Sequence, residues 1–159
     1  MRETERIADQ LKRAFESQAW HGPSVLEILQ DVTAGQAAAR PIPGAHSIWE
    51  IVLHIAVWES VCRRRLAGDR AEPSDEEDWP AVKDTGEGAW QTTKADLVEG
   101  HQKLRQAIGR LDDSQLDEPI LPGKSSVYVT VQGAVQHDLY HAGQIAILKK
   151  AFSGKEQRV

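Results

Sequence analysis

The chain has 159 residues, 40% of them hydrophobic and 27% charged, the composition of one ordinary globular domain with enough apolar material for a core. A net charge of −5 and a pI near 5.7, with Lys and Arg dispersed, argue against non-specific binding to nucleic acid. No apolar run approaches the length of a membrane span, and Met1-Arg2-Glu3-Thr4-Glu5-Arg6 lacks the apolar stretch of a signal peptide, so the expectation is a cytoplasmic protein without a membrane partner.

From Thr4 to about Ala19, the residues Ile7, Leu11, Ala14, Phe15 and Gln18 share one stripe opposite charged positions, which predicts an amphipathic helix. His21-Gly22-Pro23 ends it. Two short helical pieces follow, each opened by capping-box spacing: Ser24 with Glu27, then Thr33 with Gln36, the second stopped by Pro41 and Pro43. Ser47 and Glu50 repeat the box before Ile51-Val52-Leu53-His54-Ile55-Ala56-Val57-Trp58, the start of a helix predicted to run to about Ala67. Its apolar residues extend nearly all round, as in a helix packed on several sides. Cys62, the single cysteine, excludes an intrachain disulfide and reads as a packed helix residue. Arg63-Arg64-Arg65 before Gly68 reads as cations opposing the helix dipole.

Residues 69 to 87 form an acidic crossover, read as a solvated loop. A third long helix is predicted from about Gly88 to Leu111, with Leu97, His101, Leu104 and Ile108 on one stripe. Asp112 to Leu116 reads as a turn and a short helical piece, and Pro119, Pro122 and Gly123 make the next link irregular. Val127-Tyr128-Val129 reads as a brief extended segment, and the last helix as Thr130 to about Phe152. The fold class is therefore all-α: a four-helix bundle with long crossover connections, forming one domain over residues 1–152 and leaving a polar tail at 153–159. Periodicity does not fix the helix directions.

His137 and His141 stand four residues apart on the last helix, so both imidazoles point the same way and can converge on one metal ion. Two rings leave a four-coordinate ion half bound. His54, mid-helix among apolar neighbours, is the natural third ligand, although a lone helical histidine is also an ordinary hydrogen-bonded core residue. Apolar surroundings favour neutral rings, the form that binds metal. Gln144 lies one turn on from the pair, Asp138 and Tyr140 flank it, and Trp58 is placed to floor a cavity. Each also has a plain packing or surface reading. Glu50 is already explained as a cap. His137-Asp138-Leu139-Tyr140-His141 parallels the H-E-x-x-H protease motif only superficially, with the shorter Asp in place of the Glu and no third ligand downstream.

The segments Ser47 to His54 and His137 to Leu148 together resemble the DinB/YfiT-like family, in order and spacing over nearly the whole chain. The resemblance implies an up-down-down-up bundle, a homodimer, and a metal held by three histidines that match His54, His137 and His141. Zinc or nickel is the expected occupant. Three protein ligands leave a coordination position open. Through it such a site serves either a transferase that activates a low-molecular-weight thiol for attack on an electrophilic small molecule, or a hydrolase using metal-activated water. A non-catalytic, metal-stabilised stress-associated bundle is the third alternative.

Overall fold

The computed structural model describes residues 1–156, with side chains through Phe152. Among the described residues, seven α-helices follow in order: α1 Glu3–Phe15, α2 Val25–Leu29, α3 Ala34–Ala38, α4 Ile48–Leu66, α5 Asp75–Asp78, α6 Glu87–Gly109 and α7 Val127–Glu156. A 3₁₀ turn at Asp113–Gln115 precedes α7, and among the described residues the only β pairing is an isolated bridge between Pro119 and Ser126. Ser24, Thr33 and Ser47 each cap a helix, their hydroxyls accepting from the backbone N–H three residues on while that residue's side chain reaches back. Gly68, at φ 89, ends α4 in the left-handed conformation that favours glycine.

Several boundaries move. The first helix stops at Phe15, short of the expected Ala19, because Gln18 turns into the left-handed region at φ 65. Val127-Tyr128-Val129 is the first turn of α7 rather than extended chain, held by N–H bonds from Val127 to Glu118 O and from Tyr128 to Leu116 O. At the other end α7 continues to Glu156, so the expected tail at 153–159 begins as helix, and residues 157–159 lie outside the described ones. The acidic crossover holds α5, capped by Ser74 and Glu77.

The long helices α1, α4, α6 and α7 form a bundle in which α4 and α1 each pack against both α6 and α7. Matched contacts give the directions. On α4 and α6, Trp49 meets Trp90 and Thr93 while Glu59 meets His101, so these helices run parallel. Arg2 bonds Gly109 O and Leu111 O while Glu16 pairs with Arg105, so α1 opposes α6. Along α4 and α7, Trp58 lies with His137 while Ile51 lines a cavity with Leu148, so α7 opposes α4. The path is up-down-down-up, and the α4–α6 connection has to travel back along the bundle to start a parallel helix.

Two apolar clusters fill the interior. One gathers Phe15, Trp49, Ile55, Trp90, Leu97, Ile145 and Leu148 with the faces of α2 and α3; the other gathers Ile7, Leu11, Cys62, Leu104, Ile108, Val131 and Val135. The first ends on α4 at Ile55, on α6 at Leu97 and on α7 at Ala142; the second begins at Cys62, Leu104 and Val135. Between them lies a polar layer containing Glu59, His101, Asp138 and His141, all buried.

Candidate metal centre

At the edge of that layer, α4 supplies His54 and α7 supplies His137 and His141. The Nε2 atoms of His54 and His137 are 3.1 Å apart, as are those of His137 and His141. Two of the three Nδ1 atoms are engaged on the far sides of their rings. His54 Nδ1 donates to Asp78, whose backbone oxygen is at 2.9 Å and whose Oδ1 is at 3.0 Å; His141 Nδ1 donates to Gln144 Oε1 at 2.7 Å. With Nδ1 as the donor in both, the tautomer that binds metal turns a bare Nε2 toward His137. His137 has at most one Nε2 proton to share between two gaps, so three converging nitrogens retain at least one lone-pair conflict that a cation would remove.

The spacing fits such a cation. Ligand nitrogens about 2.05 Å from an ion are separated by roughly 2.9 Å at a right angle and roughly 3.3 Å at the tetrahedral angle. The surroundings favour the neutral form as well. Burial pushes His137 down to about 3, helped by repulsion from His141 and His54. His141 is lowered chiefly by burial, against the opposing hydrogen bond from Gln144.

Aromatic rings hold His54 in place. Trp79, immediately after α5, stacks on His54 at 3.9 Å and on His46 at 3.6 Å, while Trp58 donates from Nε1 to Asp78 Oδ1 at 2.6 Å. Two cavities reach the histidines from different sides. One, of about 400 Å³, is lined by His141, Gln144, Trp79, Tyr140, Ile51 and Leu148. The other, of about 240 Å³, is lined by His137, Trp58, Cys62, Arg65, Thr130 and Ala134 among others. A roomier hollow of about 660 Å³ between α2 and α6, lined by Leu26, Gln91 and Val98 among others, contains none of these histidines.

The sequence profile of the DinB superfamily matches residues 19–145, a span that includes α4, α6 and all three histidines. The chain belongs to the DinB superfamily. Its fold is also that of a crystal structure described as the conserved protein of a locus from Enterococcus faecalis. The two share 18% identity and a TM-score of 0.74, with 97% of this chain and 99% of that one covered, a likeness that speaks for the fold alone. No curated protein matches the chain.

The other residues singled out in this DinB-superfamily chain divide by helical angle. Trp58 lines the smaller cavity, with its ring 6.3 Å from that of His137; Tyr140 is largely exposed and sets its ring edge against His141 at 5.1 Å. Asp138 turns the other way. One residue after His137, it lies about 100° further round α7 and is fully buried, facing Glu59 and His101 rather than the three imidazoles. There Glu59 Oε1 accepts from His101 Nδ1 at 2.7 Å, and the His101 ring stacks on Phe15. Burial pushes Glu59 up to about 8 and Asp138 well above the usual carboxylate range, and it pushes His101 down to about 3. Although Glu59 and His101 have the geometry of an ion pair, desolvation of both groups makes it a neutral imidazole donating to a carboxyl group.

Asp78 and Trp79 escape the sequence reading because they sit in a run that looks solvated. Two signals stood there: Ser74 and Glu77 at capping-box spacing, and a tryptophan directly after four acids. Cys62, buried and pushed up to about 12 mainly by burial, is the inert packed thiol expected of it.

Proposed function

We propose that this protein is a metal-dependent transferase in which His54, His137 and His141 hold one divalent transition metal, zinc or nickel, and a low-molecular-weight thiol is activated for attack on an electrophilic small molecule. The convergence of three Nε2 atoms at 3.1 Å spacing, beside two cavities, carries the reading. Bound there, the metal would act as a Lewis acid that favours the thiolate over the thiol.

The protein's own groups prepare the site. Asp78 and Gln144 fix the tautomers of His54 and His141 so that Nε2 faces inward. Trp79 and Trp58 pack against the rings of His54 and His137, and Ile51, Ile147 and Leu148 offer apolar surface for an electrophile in the larger cavity. In the transfer a C–S bond forms, the leaving group departs with its electron pair, and the thiol proton passes to solvent. The thiol reading is favoured over a hydrolase because neither cavity is lined by a carboxylate able to serve as general base. Asp78, the nearest acid, is already bonded to Trp58 and His54.

The test is thiol-dependent consumption of a chromogenic aryl halide by protein loaded with one equivalent of zinc or nickel. Activity should need both metal and thiol and should vanish in His141→Ala while the helical circular dichroism persists. A fully loaded protein that is inert with every thiol and hydrolyses an activated ester would instead favour the hydrolase; one inert in both assays would leave the metal a structural role.

A further inference from the structure

The sequence gives Arg65 the role of a helix-end cation, but the structure turns its side chain back along α4. Arg65 stands two turns beyond Trp58, and its guanidinium carbon lies 5.9 Å from the Trp58 ring centroid, so the long side chain reaches toward the helix N-terminus and the histidines. Trp58 in turn lies 6.3 Å from the His137 ring. Guanidinium, indole and imidazole thus follow one another along the wall of the cavity of about 240 Å³.

Arg65 is half-buried and spends Nε–H and one Nη2–H on the backbone oxygen of Ala71, at 3.1 and 2.9 Å. Its other N–H groups have no acceptor among the described hydrogen bonds. Its neighbours differ: Arg64 pairs with Asp69, whereas Arg65 forms no ion pair among the described residues. The cavity lining has one cation, the hydroxyls of Ser125 and Thr130, and no carboxylate. The acid that feels its charge, Glu72, is paired with Lys124, and a partly desolvated guanidinium with free donors and no carboxylate bonded to it selects an anion. The volume corresponds to roughly eight waters, enough for a small organic molecule but not for a large conjugate.

We infer that this cavity is the thiol subsite and that it takes a small thiol carrying a carboxylate, which pairs with Arg65 while the sulfur reaches the histidine end. The inference rests on the metal-thiol reading above and adds the chemical class of the thiol. A monoanionic carboxylate is chosen over a phosphate because Arg65 is the single cation in the lining.

Two measurements on metal-loaded protein separate this inference from the reading on which it rests. With cobalt as the probe metal, titration with 3-mercaptopropionate and with neutral 3-mercapto-1-propanol is followed by thiolate-to-cobalt charge-transfer absorption. The carboxylate thiol should bind at least about tenfold more tightly. Arg65→Gln should erase that preference without weakening the neutral thiol, and Arg65→Lys, which keeps the charge and a donor for Ala71 O, should retain part of it. With zinc, butyrate but not butyramide should shift the Trp58 indole N–H resonance saturably, and Arg65→Gln should abolish the shift. A butyrate response without any charge-transfer band keeps the anion subsite and refutes the thiol chemistry. Equal binding of the two thiols, or a butyrate response unchanged in Arg65→Gln, overturns the inference.

Discussion

At the residue scale, proton placement decides what each imidazole can do. His54 and His141 are bonded at Nδ1 by acceptors, which leaves Nε2 free, whereas His101 donates from Nδ1 to a carboxyl and keeps an unpartnered Nε2 in the interior. The two sets differ in their neighbours rather than in residue type. Among those neighbours, Glu59 has a consequence for stability. Held protonated to about 8 against an ordinary 4.5, it keeps a proton in the folded protein that the unfolded chain releases. Its stabilising contribution is whole below about pH 4.5 and is lost as pH rises toward 8, by at most about 1.4 kcal/mol per pH unit. Glu59→Gln removes that proton linkage. Urea unfolding from pH 5 to 8 should therefore show the variant gaining on the wild type as pH rises; parallel profiles would place the titration elsewhere.

At the element scale, the shortest α-helix bears directly on the site. Helix α5 has four residues and no buried side chain, yet its last residue, Asp78, joins Trp58 to His54, and Trp79 after it stacks on the same imidazole. Asp78→Ala should lower metal affinity up to about tenfold, measured by competition with a chromophoric chelator, because His54 loses the second of its two acceptors and Trp58 its only one, while the backbone oxygen at position 78 stays to hold the tautomer. An affinity unchanged by the substitution would mean that this backbone oxygen and Trp79 stacking orient the ring without the carboxylate. The same contrast sets what could be read from the sequence. The long helices are legible because each carries a sustained apolar stripe or an S-x-x-E cap, and His137 with His141 is legible because a helix converts sequence spacing into direction. Asp78 and the inward turn of Arg65 are not, since both depend on where a crossover returns to the bundle. Asp138 misleads for a related reason: adjacency to His137 in sequence places it about 100° away around the helix.

At the scale of the whole molecule, His54 and His137 are 83 positions apart, so an ion between them would join α4 and α7 across most of the chain. Metal at a hundredfold excess over its dissociation constant should add about 3 kcal/mol, or roughly 5–10 °C in melting temperature, reversed by a chelator. Melting that ignores both additions would argue against the site. The polar layer between the two apolar clusters has a further effect, on alignment. Aliphatic stripes of Val, Ile and Leu tolerate a helix slipping by one turn, whereas the buried Glu59–His101 hydrogen bond, with Asp138 beside it, forms at a single setting of α4, α6 and α7. Replacing all three with leucine should raise the melting temperature while broadening the amide NMR spectrum, as the bundle gains apolar contact and loses its one permitted register. The layer then works as a notch cut across otherwise interchangeable rails, and the geometry of the histidine cluster inherits its precision from that notch: three imidazoles meet because α7 has only one place to stop.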